Sequence, residues 1–185
     1  MLEYVYRLNL PSWDQVKRPG VDLEQALNNE YIRAMNPKFW LRPEYQTING
    51  VELTHGVILK KLNRHRSSIH VDNNTMEDTD MIWGINWVIG YGGMEYWNSR
   101  DDISEVGYVT DTDNYTRPML TMKTGPHKNY RTVDGGVYLV HASVPHTGYN
   151  DTDIPRTAIC TRPGRGIWPN DWPTIVSMFS NLIIE

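Results

Sequence analysis

The chain has 185 residues, of which 39% are hydrophobic and 22% are charged, and its formal net charge is −4. This composition excludes a disordered chain and is typical of a globular protein, long enough for one domain with a substantial core. The acidic balance provides no electrostatic footprint for nucleic acid or an anionic membrane, so neither is an expected partner. The single cysteine, Cys160, excludes an internal disulfide framework and is compatible with a reducing compartment.

The amino terminus does not follow the basic-then-apolar plan of a signal peptide, because Glu3 and Arg7 interrupt its apolar residues. No run of the sequence reaches the ~18 apolar residues that a membrane-spanning helix needs. We therefore expect a cytoplasmic protein. Nothing in the sequence indicates its oligomeric state.

The predicted elements begin with a strand and a helix. Residues 1–10 alternate well enough to predict a first strand. Residues 22–35 carry apolar side chains at helical spacing between Pro19–Gly20 and Pro37, which predicts a helix packed on the outside of a sheet. Residues 38–50 are expected to form an aromatic loop or a short helix.

From about residue 51 to residue 162 the chain changes to short β-type runs separated by turn residues. Strands are predicted there at Val51–Leu59, Ser67–Val71, Ile82–Ile89, Gly93–Trp97, Val106–Val109, Gly136–His141 and Arg156–Thr161. This pattern is typical of an all-β sandwich or barrel. The polar, Thr-rich residues 98–133 could form a lid, a substrate-binding insertion or a long surface loop. The apolar residues 175–184 are expected to close the domain as a helix or a strand.

One predicted strand carries a His-x-Asp pair. Successive side chains of a strand point to opposite faces, so His70 and Asp72 share one face while Ile69 and Val71 share the other. An imidazole and a carboxylate placed in this way are two of the three ligands of a facial metal site, whose open positions suit non-haem Fe(II). The motif is only three residues long, and a surface strand pair is the alternative interpretation.

The third ligand is expected from residues 135–161, which read as a strand, a polar turn and a second strand. His146 lies where the first of these strands ends, and Pro145 before it holds the backbone extended. His141, at the end of the apolar run, is the alternative ligand. The Pro-His-Thr-Gly context suits the turn, so we place His146 ahead of His141.

Arg156 opens the second of these strands and shares a face with Ala158 and Cys160. If that face lies inside a barrel, the guanidinium needs an anion, because a buried unpaired charge is very costly. The small neighbours leave volume for a ligand to supply the anion, and a guanidinium binds a carboxylate in bidentate fashion. Arg156 is therefore a candidate anchor for an organic acid. A salt bridge to Asp151 or Asp153 across the turn is the alternative.

A strand-borne His-x-Asp, a later His in a Pro-His-x-Gly context and an Arg ten residues beyond it resemble the Fe(II)/2-oxoglutarate-dependent oxygenases. The resemblance covers roughly residues 60–162. Residues 83–89, followed by Met-Glu-Tyr-Trp, are similar to the branch of small hydroxylases that act on small molecules or on protein side chains. The resemblance implies a mainly β fold, a double-stranded β-helix (a cupin-like jelly roll) with one or two flanking helices. Residues 1–185 are then expected to form a single domain with its core at about 51–162.

The resemblance also implies roles for the site residues. His70, Asp72 and His146 would ligate Fe(II), and Arg156 would pair with the distal carboxylate of 2-oxoglutarate. With dioxygen, the implied reaction is oxidative decarboxylation of 2-oxoglutarate to succinate and CO2, coupled to hydroxylation of a small-molecule or peptide substrate. Related halogenases leave the carboxylate position vacant for halide, so Asp72 favours hydroxylation.

One departure from the family pattern concerns the acid anchor. Many members have Ser or Thr two residues after the Arg, and here that residue is Ala158. A hydroxyl from elsewhere would have to substitute, and Tyr138 or Tyr91 is the expected source, Tyr138 foremost. Two alternatives stay open, a cupin-like metalloenzyme that does not use 2-oxoglutarate and a non-catalytic jelly-roll binding module.

Overall fold

The computed structural model describes residues 3–27, 32–73, 75–76, 80–98, 100–110, 116–164 and 168–184. Four short helices lie in these residues: Trp13–Val16 (α1), Leu23–Leu27 (α2), Pro37–Trp40 (α3) and Trp172–Met178 (α4), with 3-10 turns at Pro43–Tyr45 and Arg100–Asp102. None of these helices combines the length and the apolarity that crossing a bilayer requires.

The same residues contain the strands that dominate the fold. These are Val5–Leu8 (β1), Ile32–Met35 (β2), Thr47–Ile48 (β3), Val51–Glu52 (β4), His55–Lys61 (β5), Ile69–His70 (β6), Trp83–Ile89 (β7), Gly92–Tyr96 (β8), Ile103–Thr110 (β9), Thr116–Met122 (β10), Lys128–Thr132 (β11), Val137–His141 (β12), His146–Tyr149 (β13), Arg156–Arg162 (β14) and Ile183–Ile184 (β15). They form a large sheet in the order β15-β1-β12-β7-β14-β5-β2, a small sheet in the order β11-β8-β13-β6-β10-β9, and the hairpin β3–β4.

The central strands of the two sheets form a double-stranded β-helix. Strands β5, β14, β7 and β12 are neighbours in the large sheet, whereas β6, β13, β8 and β11 are neighbours in the small sheet. The chain thus crosses repeatedly between two antiparallel four-stranded layers, which is the arrangement of a jelly roll. The predicted mainly β, cupin-like fold is confirmed.

The main hydrophobic core lies on the outer face of the large sheet, under the helices. Ile85, Leu139 and Ile159, from three neighbouring strands, belong to one buried cluster with Trp13 of α1 and with Phe179, which follows α4. Each large apolar side chain buried in this way contributes roughly 1.5–3 kcal/mol. Because side chains alternate along a strand, the residues between these positions face the small sheet instead. The interior of the sandwich therefore holds a second apolar cluster, which includes Val88 and Val140, beside polar side chains such as Asn86.

The predicted helix over residues 22–35 is wrong at residues 32–35. α2 ends at Leu27, residues 28–31 lie outside the described part of the chain, and β2 adds a strand to the edge of the large sheet by pairing with β5. Met35 is opposite Gly56, and a Cβ on that glycine would lie 2.7 Å from Met35 Cγ. The hydrogen bonds offered by β5 and this fit of Met35 override the helical spacing of the apolar residues.

The strands predicted between residues 51 and 162 exist with shifted ends, and further strands were missed. The prediction Val51–Leu59 is divided into β4 and β5, and β13 begins at His146, where the sequence indicated a turn. Residues 98–133 hold β9, β10 and β11, so they are not a long loop; residues 99 and 111–115 lie outside the described part. The β9–β10 hairpin extends the small sheet beside β6. Most residues of β9 are exposed, so this strand lacks the apolar alternation that predicts strands.

Candidate metal centre and ligand cavity

A cavity of about 890 Å³ lies between the two sheets. The large sheet contributes inward-facing residues of β5, β7 and β14, including Asn86, Ala158 and Cys160, and the small sheet contributes residues of β6, β10 and β13. Burial raises the pKa of the Cys160 thiol to about 11, so it is a small neutral part of the wall. The volume lies in the range of small-molecule sites.

The structure brings His70, Asp72 and His146 together at this cavity. One potential ligand atom of each residue lies within 4.8 Å of the corresponding atoms of the other two. The two histidines are opposite residues of the paired strands β6 and β13, and their ring centroids are 4.5 Å apart. Asp72 lies just beyond β6, where its backbone N–H donates to the Ala142 carbonyl at 2.9 Å. The arrangement could hold a metal ion through two imidazoles and one carboxylate.

Each of these histidines has its Nδ1 bound to the main chain. His70 Nδ1 is 2.9 Å from the Ser68 carbonyl oxygen, and His146 Nδ1 is 2.8 Å from the Val144 carbonyl oxygen. A carbonyl only accepts hydrogen bonds, so each Nδ1 carries a proton, and Nε2 is the ring nitrogen left to ligate a metal. Metal-ligating histidines are oriented in this way. His70 Nε2 lies 3.4 Å from Asp72 Oδ1.

The charges around the triad favour the protonation states that bind metals. Burial acts to raise the pKa of Asp72, but the Arg162 guanidinium, the hydrogen bond to His70 and the two nearby imidazoles hold it well below its usual value. Burial and the neighbouring His70 lower the pKa of His146 to about 3. A carboxylate and a neutral imidazole are the forms that coordinate a metal. Arg162 donates to Asp72 Oδ2, the oxygen other than the one nearest His70.

A stack of aromatic rings fixes the orientation of His146. The Tyr96 ring is stacked on the His146 ring, with centroids 5.4 Å apart and an interplanar angle of 22°. Tyr4 stacks in turn on Tyr96, with centroids 5.1 Å apart. Tyr96, backed by Tyr4, therefore packs against the His146 ring and holds it in place.

His141, the alternative third ligand, lies elsewhere. Its ring packs against Trp172 at 4.7 Å and against Tyr4 at 6.1 Å, and it does not line the cavity. Burial lowers its pKa to about 4. In the described part of the chain, no group hydrogen-bonds to its Nδ1. The structure thus places His146, and not His141, beside His70 and Asp72.

Arg156 and Arg162 lie at opposite ends of β14, and both line this cavity. The two are six residue steps apart along the strand, which is about 20 Å between their Cα atoms. Arg156 is only 2% exposed, and its Nε donates to Thr132 Oγ1 at 3.3 Å. Burial lowers the pKa of its guanidinium.

No carboxylate within the described residues forms an ion pair with Arg156. The alternative interpretation named Asp151 or Asp153 as its partner. Asp151 instead pairs with Arg131, and Asp153 pairs with Arg64. The buried guanidinium therefore retains the need for an anion that the sequence indicated.

The hydroxyl expected beside Arg156 was that of Tyr138 or Tyr91. Tyr138 is buried in an apolar cluster and does not itself line the cavity, and its hydroxyl accepts a hydrogen bond from the Val133 N–H at 2.9 Å. Tyr138 lies close enough to Arg156 to oppose the lowering of the Arg156 pKa by burial. Tyr91 is 51% exposed. The hydroxyl in contact with Arg156 comes from Thr132, at the end of β11.

Two further charged residues of the cavity were missed in the sequence. Lys61 is the last residue of β5, directly opposite Arg156, and Arg162 is the last residue of β14. Both line the cavity. Period-two alternation could have found them, because Lys61 follows Leu59 and Arg162 follows Cys160 on the inward faces of their strands.

The cavity lining also includes the large apolar side chains of Met81, Met119 and Trp168. Met119 is opposite His70 in the β10–β6 pair, so the inserted hairpin contributes to the wall. The Met81 N–H donates to Asn170 Oδ1 at 2.5 Å, which ties the segment before β7 to the one before α4.

No protein-family model and no curated protein matches the chain. Among solved structures, EvdMO1 is 14% identical with a TM-score of 0.41, covering 66% of this chain and 31% of that one. EvdO2 from Micromonospora carbonacea var. aurantiaca is 16% identical with a TM-score of 0.36, covering 80% of this chain and 62% of that one. The structure of EvdO2 complexed with 2-oxoglutarate gives the same values. The chain spans less than two thirds of the length of either protein, and both likenesses are distant.

Proposed function

We propose that this protein is a non-haem Fe(II)- and 2-oxoglutarate-dependent oxygenase that hydroxylates a small molecule or a protein side chain, forming succinate and CO2. One observation carries the proposal: a two-histidine, one-carboxylate group lines the same cavity as a buried arginine that forms no ion pair with a carboxylate of the described residues. The first can hold a metal with open coordination positions, and the second requires an acid.

The donor set of the triad fits Fe(II). Two neutral imidazoles and one carboxylate on one side of the metal leave positions for a cosubstrate and dioxygen. When bound, the iron would bring 2-oxoglutarate and dioxygen together, and dioxygen would be the oxidant, with one oxygen atom entering succinate and the other the hydroxylated substrate. The protein supplies the ligand orientation: carbonyls hold both Nδ1 atoms, and Arg162 holds Asp72 through Oδ2.

The Arg156 end fits the distal carboxylate of 2-oxoglutarate. The Nε of Arg156 is engaged by Thr132, so its terminal NH2 groups would meet the acid. Ala158 and Cys160 lie between the two arginines of β14 and leave room for the ligand along that strand. Met81, Met119 and Trp168 would contact the substrate, whose small-molecule or peptide class suits the size of the cavity.

The decisive test is anaerobic reconstitution with Fe(II), followed by addition of 2-oxoglutarate and a visible spectrum. Chelation of the keto acid at the iron is expected to produce a weak metal-to-ligand charge-transfer band. Asp72→Ala should abolish the band by removing a ligand, and Arg156→Ala should abolish it at ligand concentrations that saturate the wild type. Arg131→Ala, which removes an arginine outside the cavity, is the matched control and should keep the band.

Other outcomes separate the alternatives. Iron binding without a band, and turnover without 2-oxoglutarate, would indicate a cupin-like metalloenzyme that uses the same three ligands. Absence of stoichiometric metal after anaerobic purification and reconstitution would indicate a binding module and contradict the proposal.

A further inference from the structure

We propose that Tyr96, Tyr130 and Glu3 form an electron-transfer path that carries electrons from the protein surface to the metal centre when it reacts with dioxygen in the absence of substrate. We call these three side chains the aromatic path. This inference rests on the proposed function. It concerns the rings that lie behind His146, which the hydroxylation of a substrate does not itself require.

The aromatic path begins at a metal ligand. The Tyr96 ring is fully buried and stacked on the His146 ring, with centroids 5.4 Å apart and an interplanar angle of 22°. Electron tunnelling weakens steeply with distance, so two rings in contact are better coupled than rings separated by other side chains. The π system of Tyr96 is therefore in direct contact with a ring that would coordinate the metal.

A second ring contact continues the aromatic path towards the surface. The rings of Tyr96 and Tyr130 meet edge to face, with centroids 5.6 Å apart and an interplanar angle of 86°. The two residues lie on β8 and β11, which pair with each other in the small sheet. Tyr96 is buried, whereas Tyr130 is half-buried. Two ring contacts thus connect a metal ligand with the surface of the protein.

The outer end of the aromatic path can take up a proton. The Tyr130 hydroxyl donates to Glu3 Oε2 at 2.5 Å, a short separation that is typical of a hydroxyl bound to an ionised carboxylate. Lys128 Nζ lies 3.1 Å from Glu3 Oε1, and both partners lower the pKa of Glu3. A phenol loses an electron more easily when a base accepts its proton, because an oxidised phenol is a strong acid. Glu3 is in position to be that base.

Two other tyrosines near the metal centre lack such a base. The Tyr96 hydroxyl lies 4.0 Å from Met94 Sδ, and a thioether is a weak acceptor. The Tyr149 hydroxyl, on β13, donates to the amide oxygen of Asn129 at 2.7 Å. An amide is a much weaker base than a carboxylate. Tyr130 is therefore the residue that gives up the electron, and Tyr96 conducts it through its ring.

The electrons and atoms balance as a reduction of dioxygen to water. Without substrate, 2-oxoglutarate, dioxygen, two electrons and two protons give succinate, CO2 and water. Each electron leaves Tyr130 while its hydroxyl proton passes to Glu3, which produces a neutral tyrosyl radical and a carboxylic acid. A reductant that donates a hydrogen atom, such as ascorbate, restores the phenol, and Glu3 releases its proton to the solvent. Dioxygen that reacts without substrate then does not oxidise the side chains of the cavity.

The test is freeze-quench electron paramagnetic resonance on the Fe(II)-loaded protein, mixed with 2-oxoglutarate and oxygenated buffer without substrate or reductant. We expect the signal of a tyrosyl radical in the wild type. Tyr130→Phe should abolish it, because the phenol is lost, and Glu3→Gln should remove most of it, because the base is lost. Tyr149→Phe is the matched control, since it removes a tyrosine hydroxyl that is bound to an amide, and it should keep the signal.

Two substitutions of Tyr96 test the ring contacts. Tyr96→Phe keeps a ring between His146 and Tyr130 and should keep the radical, whereas Tyr96→Leu removes the ring and should abolish it. The charge-transfer band with Fe(II) and 2-oxoglutarate, recorded anaerobically for each variant, verifies that its metal centre is intact.

The outcomes distinguish the aromatic path from the proposed function. If the wild type shows the band and forms succinate but no tyrosyl radical, the aromatic path is refuted and the proposed function survives. The same conclusion follows if Tyr130→Phe keeps the radical, or if Tyr96→Leu keeps it. If the wild type gives neither the band nor succinate, the proposed function fails, and the aromatic path fails with it.

Discussion

The two ends of the cavity hold their charges differently. At the metal centre, Asp72 is compensated by Arg162, and the Nδ1 atoms of His70 and His146 are bound to carbonyls. At the other end, Arg156 is bound to a neutral hydroxyl, and no carboxylate of the described chain pairs with it. The chain thus supplies the counter-charge for Asp72 at the metal centre, whereas in its described part no carboxylate balances Arg156.

This difference has a consequence for stability. Removing a charge that the protein compensates leaves its partner uncompensated and should destabilise the fold. Removing a buried charge that only a ligand compensates should stabilise the ligand-free protein. Substitutions at the two ends are therefore expected to act with opposite signs.

The largest effect is expected for Asp72→Asn. Loss of a ligand should weaken metal binding by more than about a hundredfold, beyond what the loss of an outer hydrogen bond causes. The metal-free protein should also lose about 1–3 kcal/mol of unfolding free energy, because Arg162 loses its carboxylate. Metal titration and urea denaturation measure the two effects.

The matched control for this change is Asp151→Asn. It removes a carboxylate from the ion pair with Arg131, outside the cavity, and should cost at most about 1 kcal/mol. Wild-type metal affinity in Asp72→Asn would contradict the assignment of the carboxylate ligand.

At the other end of the cavity, the substitution Arg156→Met should change the stability in the opposite direction to Asp72→Asn. The variant is expected to raise the unfolding free energy of the ligand-free protein by about 1–4 kcal/mol, because an apolar side chain replaces a buried charge. It should also abolish the stabilisation that 2-oxoglutarate confers on the Mn(II)-loaded wild type. Urea denaturation with and without the keto acid measures both. A less stable ligand-free variant would mean that the chain itself compensates Arg156.

His141, which lies outside the cavity, is expected to make the stability of the protein depend on pH. Burial lowers the folded-state pKa of His141 to about 4, below its unfolded value near 6.5. The unfolded chain therefore binds the proton first, so stability is complete above pH ~6.5 and is lost as the pH falls towards ~4. His141→Phe keeps the ring between Trp172 and Tyr4 and should lessen this loss by about 1.4 kcal/mol per pH unit.

Denaturation of the wild type and of His141→Phe at several pH values measures the difference in slope. His146 is retained in both proteins, so its own titration cancels in the comparison. Equal slopes would show that His141 is not the neutral buried group that its packing indicates.

The smallest effect is expected for Gly148→Ala. The new Cβ would displace the flexible end of Lys61, since it would lie 2.9 Å from Cε. The affinity for 2-oxoglutarate should fall about twofold to fivefold, while metal binding stays as in the wild type. Calorimetry measures both, and Gly125→Ala, where a Cβ meets nothing within 4 Å, is the control. An unchanged affinity would mean that displacing Lys61 does not affect the binding of 2-oxoglutarate.

The sequence alone predicted the class of fold and indicated a metal-binding group. Alternation along short runs is a local property of strands, so it predicted an all-β sandwich or barrel and placed Arg156, Ala158 and Cys160 on one face, whereas the jelly roll was implied by the family resemblance. His-x-Asp is likewise local, because two residues of strand bring both side chains to the same side.

Tertiary structure decided which residues meet. Only the pairing of β6 with β13 placed His146 opposite His70, and only the pairing of β5 with β14 placed Lys61 beside Arg156. The end of a predicted helix forms β2 instead, and residues 98–133 contain the strands β9, β10 and β11. The physical reason is that register and strand order depend on hydrogen bonds between segments far apart in the chain, which no local pattern records.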